Sequence, residues 1–563
     1  MLSKQFVAED LLANLDEEQR LAAESLVGPT CILAGAGTGK TRTITHRIAY
    51  GIAKGYYAAN RVLALTYTNR AAGELRSRLR ALGAAGVQVK TFHAAALSQL
   101  EFFWPQFAGV PAPQVLESKA KLIGQAATEL KLKLDTAALR DMAAEIEWRK
   151  YSMLSIEKYE EVVAKRPRIG SLTAEQNVEL QKQYEQSKVQ SQRLDWEDVL
   201  ILTLGMLRAE PLALSHVQQQ YRFFTVDEYQ DISPLQHALL DTWMGDHTDL
   251  CVVGDPNQTI YSFTGATSEF LRNFDQRYDD ATVLQLTQNY RSTQKIVAAA
   301  NRVVAQSNSI DSLTAHGEAG DEVKVLQFAN LAEEARQVAM VIREQLDAGV
   351  KPNEVAVLYR VNGQSEAFEA ALSEQQIEYQ LRGGERFFNR PEIMRAMTAI
   401  RAESNSAARE DKTTFELITD ICRSLGWTAR QPESAGAERD KWESLTSLIA
   451  ILDEMPEGST LSQFAAELDE RKRSQHEPVK PAVTLSTIHA AKGLEWSQVF
   501  IVGTTEGYMP IAYATTAAEI AEEKRLFYVA VTRAKKKLSI SWAKRDTASG
   551  RDREPSRFLA LLG

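Results

Sequence analysis

The run Ala34-Gly-Ala-Gly-Thr-Gly-Lys-Thr41 constrains this chain more than any other feature. It follows the apolar, β-rich run Thr30-Cys-Ile-Leu-Ala and opens a helical pattern, the setting of a phosphate-binding loop between a strand and a helix. Glycines let successive backbone N–H groups close around phosphate, the Lys40 amine can reach the β/γ oxygens, and the Thr41 hydroxyl can ligate Mg²⁺. Ala34 stands where the first glycine of such loops usually is, a common variant. Ala34, Gly35, Ala36, Gly37, Thr38, Gly39, Lys40 and Thr41 are therefore expected to hold the phosphates of a nucleoside triphosphate, and the loop alone does not distinguish which.

A phosphate loop needs an acidic partner, and Phe223-Phe-Thr-Val-Asp-Glu-Tyr-Gln-Asp231 supplies one. An apolar strand ending in Asp227-Glu228 puts the first carboxylate on Mg²⁺. The second falls where it can orient and deprotonate an attacking water. Lys40 and Asp227 lie 187 positions apart, far more than a βαβ core requires. The almost wholly helical stretch from about 95 to 200 is therefore expected to be an inserted subdomain.

Val62-Leu-Ala-Leu-Thr-Tyr, Phe223–Val226 and Leu250-Cys-Val-Val-Gly repeat the pattern of short buried strands followed by helices. The second half does the same at 322–328, 354–360, 483–487, 498–503 and 537–542, with a helical stretch over 332–348. Two α/β units are the simplest account, and 563 residues suffice for three to four domains of about 150 residues each. Residues 395–480 form a second helical interruption. The net charge is −9, and over 401–480 alone 11 Lys/Arg face 16 Asp/Glu. Bulk attraction to nucleic acid is thereby excluded, but a local basic groove is not. Cys31, Cys251 and Cys422 lie too far apart for a metal pair and read as buried free thiols. With no secretory leader and no apolar run of about 18 residues, a cytoplasmic protein without a membrane partner is expected.

Thr225-Val-Asp-Glu-Tyr-Gln-Asp231, Val253-Gly-Asp-Pro-Asn-Gln-Thr-Ile-Tyr-Ser-Phe-Thr-Gly265, Asn289-Tyr-Arg-Ser292, His489-Ala-Ala-Lys-Gly-Leu-Glu495 and Tyr528-Val-Ala-Val-Thr-Arg533 resemble, in order, the motifs of superfamily 1 DNA helicases of the UvrD/Rep/PcrA type. Gly86–Ala96, Ala144-Glu-Ile-Glu-Trp148 and Ser262–Thr267 are similar to a second paralogue group of that family in actinobacteria. The resemblance implies an α/β fold of two RecA-like motor domains with ATP in the cleft between them. Domain 1A would span 1–94 and 201–285, with insertion 1B at 95–200. Domain 2A would span 286–394 and 481–563, with a reduced insertion 2B at 395–480.

Carried over by motif, the resemblance has Gln19 reading the adenine edge, Tyr290 stacking on its face and Arg42 assisting beside the loop. Gln258 would sense the γ-phosphate, and Glu495 would touch the ribose or nucleotide. Arg291 and Arg533 would reach the γ-phosphate as always-charged guanidinium fingers. Tyr67, Tyr261 and Phe263 match positions that form base pockets, and Asn69, Thr91, His93, Arg360 and Asn362 match further strand contacts. His489 and Lys492 would couple nucleotide to DNA. The implied activity is ATP-dependent 3′ to 5′ travel on single-stranded DNA with opening of 3′-tailed duplex, in repair or recombination.

The pattern departs in three places. Phe263 stands where the family usually carries Trp. The 395–480 stretch is short and acidic and has no Gly-x-Gly, a poor duplex clamp because each neutralised phosphate normally needs a cation. The sequence runs 30 residues past Arg533 without cysteine-rich or helical nucleic-acid-binding appendages. Two further readings follow: a translocase that strips proteins from DNA and unwinds weakly alone, and a non-motor ATP-binding scaffold, which the complete motif set disfavours.

Overall fold

The computed structural model describes residues 8–134, 136–166, 168–305, 312–361, 364–382, 388, 390–405, 412–430, 444–446, 448–449, 451–456, 458–474, 481–545 and 552–562. The chain divides into two compact units, Met1–Thr287 and Gln288–Gly563.

The first unit is built on six parallel strands: β1 (Thr30–Ala34), β2 (Val62–Thr66), β3 (Gln88–Thr91), β4 (Phe223–Val226), β5 (Leu250–Gly254) and β6 (Thr282–Leu286). Their order across the sheet is β3-β2-β4-β5-β1-β6. Strand side chains alternate between two faces, so Val62 and Ala64 join one core while Leu63 and Leu65 join the other. Helices Lys40–Ala53 and Asn69–Ala81 cover the first face; Phe92–Ala108, Trp196–Ala209 and Pro234–Met244 cover the second. Because every strand is parallel, the loops after β1, β2, β3, β4 and β5 all emerge at one edge of the sheet, where ligands of such sheets bind.

Between β3 and β4 the chain is mainly helical, with two-residue strands Gln114–Val115 and Arg193–Leu194 pairing in parallel. A separate apolar cluster including Ile123, Met142, Ile146, Leu180 and Tyr184 organises this stretch. Its base is a buried charge network in which Lys150 reaches Asp195 and Asp198 at 2.6 Å each, and Lys188 reaches Asp195 at 2.9 Å and also Asp198. Helices Phe92–Ala108 and Trp196–Ala209 run through residues 94 and 200 and pack on the sheet.

The second unit repeats the plan with β7 (Lys324–Phe328), β8 (Val355–Tyr359), β9 (Tyr379–Arg382), β10 (Val483–Thr487), β11 (Trp496–Ile501) and β12 (Ala534–Ala543). All pair in parallel, in the order β7-β12-β11-β8-β10-β9. Helices Pro391–Ser404, Thr414–Ser424 and Leu461–Ser474 share their own core of Ile393, Ile400, Ile418, Cys422, Phe464 and Leu468. All three cysteines are buried free thiols. Among the described residues no single helix is long and apolar enough to cross a membrane.

Candidate functional site

The loop after β1 closes on itself. Gly37 and Gly39 take φ of +72° and +83°, a region that excludes most side chains, and Gly39 caps helix Lys40–Ala53. The buried Gln19 donates from Nε2 to the Thr38 carbonyl at 3.0 Å, and a Cβ on Gly39 would lie 2.7 Å from that same nitrogen. The Thr38 hydroxyl donates to the Gly35 carbonyl at 2.9 Å, Lys40 Nζ donates to the Ala34 carbonyl at 3.3 Å, and Arg42 Nη2 donates to the Asn14 carbonyl at 2.5 Å. Gln19 and the loop residues through Arg42 thus hold one another in a tight turn at the N-terminus of helix Lys40–Ala53, with the Gly35 N–H donating to the Leu286 carbonyl at 3.4 Å, and a helix N-terminus is suited to phosphate.

Asp227 and Glu228 follow β4. The Asp227 N–H donates to the Leu65 carbonyl, and its Oδ1 accepts the Glu228 N–H, both at 2.9 Å. Burial and the Glu228 carboxylate, opposed by the Lys40 ammonium, push the Asp227 pKa up to about 7. The Thr41 hydroxyl and Asp227 are hard oxygen donors of the kind Mg²⁺ takes beside substrate phosphates, and a divalent cation there would offset the crowding of the Asp227 and Glu228 charges. Glu228 sits at φ +54°, ψ +41°, a left-handed conformation unusual for a side-chain-bearing residue.

Gln230 and Asp255 carry no role that the sequence motifs assign, and the structure places both between the carboxylates and Gln258. Gln230 Nε2 donates to Glu228 Oε2 at 2.5 Å and to Asp231 Oδ2 at 3.3 Å. Its Oε1 accepts the Asp255 N–H at 3.1 Å. The Asp255 carboxylate in turn accepts the Asn257 N–H at 2.9 Å and Gln258 Nε2 at 2.8 Å.

Three residues past Gln258, the loop after β5 turns to aromatics. The Tyr261 ring stacks on that of Tyr67, which follows β2, and meets Phe263 edge-on at 6.1 Å. Tyr67 and Phe263 are exposed. Asn69 opens the helix that Thr68 caps. Thr91 caps helix Phe92–Ala108, its hydroxyl accepting the Ala94 N–H at 3.1 Å. His93 Nε2 lies 3.1 Å from the Tyr151 hydroxyl, and its ring meets those of Tyr151 and Trp196 edge-on. Tyr151 and the exposed Trp196, both from the helical stretch, are neighbours of this surface that no motif pattern flagged.

In the second unit the expected site residues separate to opposite ends of the sheet. Glu495 and Arg533 immediately precede β11 and β12, and the Trp496 N–H donates to the Arg533 carbonyl at 3.0 Å. Arg291 Nε lies 2.6 Å from Glu495, which Lys535 also reaches at 2.6 Å, and Arg291 Nη1 donates to the Thr532 carbonyl. Against the pull of partial burial, Arg291 and Lys535 hold the Glu495 carboxyl below its ordinary range. Arg533 is buried, donating to the Val529 and Leu494 carbonyls and the Thr532 hydroxyl. The half-exposed Tyr290 ring lies 4.8 Å from that of His316.

At the other end, Arg360 and His489 follow β8 and β10. Arg360 is a two-pronged partner of the buried Glu523, with Nε 3.1 Å from each carboxylate oxygen and Nη2 2.8 Å from Oε1. Burial, with the charges of Arg360 and Lys492, holds the His489 pKa down to about 3. Asn362, the remaining strand-contact expectation, lies outside the described residues.

Residues 15–279 match the model of the UvrD/REP helicase N-terminal domain, and 284–431 and 416–545 match the UvrD-like helicase C-terminal domain. The chain is 43% identical over 576 residues to the ATP-dependent DNA helicase UvrD2 of Mycobacterium tuberculosis strain H37Rv, covering 98% of this chain and 82% of the relative. It is 27% identical over 649 residues to the ATP-dependent DNA helicase PcrA of Bacillus subtilis, covering 99% and 87%. DNA helicase II of Haemophilus influenzae is 29% identical over 648 residues, covering 98% and 87%.

Proposed function

The chain belongs to the UvrD-like superfamily 1 helicases, and from that premise we propose that this ATP-dependent DNA helicase travels 3′ to 5′ along single-stranded DNA, separating duplex in DNA repair or recombination. One observation carries the reading: a single loop, Asp255 to Gly265, holds Gln258 against the carboxylate network at one end and Tyr261 against Tyr67 at the other. A loop so placed can pass a change at the phosphate to a change at a base.

ATP brings a γ-phosphoryl group that passes to water, and the chain supplies positioning and charge. The loop of residues 35–39 and the Lys40 amine would bind the phosphates, and Thr41 with Asp227 would hold Mg²⁺. Glu228 would orient the attacking water and accept its proton. Arg291 and Arg533 would stabilise charge on the γ-phosphoryl oxygens, while Gln19, Arg42, Tyr290 and Glu495 would seat the rest of the nucleotide. Tyr67, Asn69, Thr91, His93, Tyr261, Phe263, Arg360 and Asn362 would face single-stranded DNA, the aromatics stacking on bases without sequence choice. The proposed domain division is 1A, 1B, 2A and 2B with the boundaries given above.

Strand release from 3′-tailed, 5′-tailed and blunt duplexes, alongside ATPase rates with and without single-stranded DNA, tests this. Release from 3′ tails with DNA-stimulated hydrolysis is expected. Release only from 5′ tails would overturn the polarity, and absence of stimulation would sink the motor reading. The acidic 401–480 segment favours one second reading, a translocase that displaces bound proteins and opens duplex poorly alone. Stimulated ATPase with protein displacement and little strand release would select it.

A further inference from the structure

Gln230 is fully buried, and both ends of its amide are used. The NH₂ end faces two carboxylates, Glu228 and Asp231, and the carbonyl end faces the Asp255 N–H. Reversing the amide would set its oxygen against both carboxylates and its NH₂ against a donor, so this environment permits one orientation only. The backbone makes room for that orientation: a Cβ on Gly254 would lie 2.5 Å from Gln230 Oε1 and 3.2 Å from its backbone nitrogen. Strand β5 thus ends in a residue without a side chain at the point where this amide lies against it.

The amide joins two groups that hydrolysis needs in fixed relation. Glu228 hangs from a left-handed backbone, φ +54°, which surrounding structure must hold in place. Asp255 carries Gln258 through its carboxylate. We propose that Gln230 is a positioning residue for ATP hydrolysis, its amide setting the Glu228 carboxylate and the Asp255–Gln258 turn in one geometry. The water-orienting group and the phosphate-reading group then move together. The proposal rests on the reading of Glu228 as the group that orients and deprotonates water. A side chain that only filled space would be served by any residue of that shape, whereas this role needs a donor toward Glu228 and an acceptor toward Asp255.

Steady-state ATPase of the full chain at saturating single-stranded DNA, with equilibrium binding of a fluorescent ATP analogue, tests it on Gln230→Leu, Gln230→Glu, Glu228→Gln and the double variant Gln230→Leu/Glu228→Gln. The expected result is a fall in kcat of roughly ten- to a hundredfold for both Gln230 variants, with KM and analogue affinity within about threefold of the parent. Gln230→Glu keeps the shape and the acceptor but turns an acceptor toward Glu228, so it should be no better than Gln230→Leu. The double variant should be no slower than Glu228→Gln alone, because one residue acts through the other. Two results would overturn the positioning role: Gln230→Leu turning over at the parent rate while Glu228→Gln is inactive, or kcat and analogue affinity falling in parallel. Parent-like turnover by Glu228→Gln would instead overturn the reading of Glu228, whatever the Gln230 variants do.

Discussion

The ring of Tyr67 lies 5.6 Å from that of Tyr261 and within 10° of parallel to it. That separation is within the range of about 4.5 to 7 Å typical of directly interacting aromatic rings, so no base lies between the two tyrosines as they stand. A nucleobase stacking here, as proposed, would have to take an outer face of the pair or part it, and either would make the loop after β5 responsive to DNA.

Tyr261→Ala is therefore expected to weaken single-stranded DNA binding by about 1 to 3 kcal/mol, roughly five- to 150-fold, and to blunt DNA stimulation of the ATPase. Basal hydrolysis should persist, since the phosphate loop and Asp227–Glu228 are untouched. Fluorescence anisotropy with a labelled oligonucleotide and ATPase rates at zero and saturating DNA check this. Equal loss of basal and stimulated rates would mean the ring supports the fold.

Lys40→Ala removes the one side-chain amine of the phosphate loop, which donates within the loop to the Ala34 carbonyl. Hydrolysis should fall to background with or without DNA, while circular dichroism and the melting temperature stay near those of the parent. Normal turnover by this variant would refute the nucleotide site.

Much of this site was legible because its chemistry lies in consecutive residues at strand ends. Lys40 and Thr41, Asp227 and Glu228, and Gln258 with Tyr261 each belong to one short run, and parallel pairing then brings the runs to one edge. The central strands were legible because both their faces are buried. Of the strands in the two main sheets, β3, β6 and β9 are not legible and all three lie at edges, where β6 begins with the exposed Thr282 and Val283; the still more exposed edge strand β7 is legible only from its run of Val325, Leu326 and Phe328. Pairings between distant residues were not legible at all. Gln230 is 25 positions from the Asp255 N–H it accepts, and Arg360 is 163 from Glu523. Each of those residues alone reads as an ordinary polar side chain.

Arg360 offers a prediction that separates its two assignments. Its side chain is 13% and that of Glu523 7% exposed, and Glu523 Oε2 also accepts the Ile511 N–H at 3.0 Å. Removing one partner of a buried pair strands the other charge, at a cost of about 3 to 5 kcal/mol. Glu523→Ala should therefore lower the unfolding free energy by that order, and Arg360→Ala/Glu523→Ala should cost less than the sum of the single variants. Urea denaturation of the four proteins measures the coupling. A DNA-affinity loss in Arg360→Ala without coupling to Glu523 would make the guanidinium a strand contact first and a structural partner second.

His93 carries a pH prediction whose sign follows from its surroundings. In the unfolded chain a histidine takes up its proton near pH 6.5, but in the folded protein burial, reinforced by the Lys119 ammonium, holds that uptake off until about pH 4. Between those values the unfolded state binds more protons than the folded one. Stability from this group is therefore full above about pH 6.5 and is lost as pH falls toward 4, by up to about 1.4 kcal/mol per pH unit. His93→Gln keeps a polar group beside the Tyr151 hydroxyl but cannot take up a proton, so over that window its unfolding free energy should fall less steeply than the parent's. Chemical denaturation of both proteins at pH 7.5, 5.5 and 4.5 reads the difference directly. The same neutrality at pH 7 means that His93, if it faces the strand as proposed, would carry no charge to DNA. His93→Gln should then leave the slope of log affinity against log salt unchanged, whereas loss of a phosphate-neutralising cation reduces that slope by about 1. A reduced slope in His93→Gln would show a protonated ring on the strand and would contradict the depressed pKa.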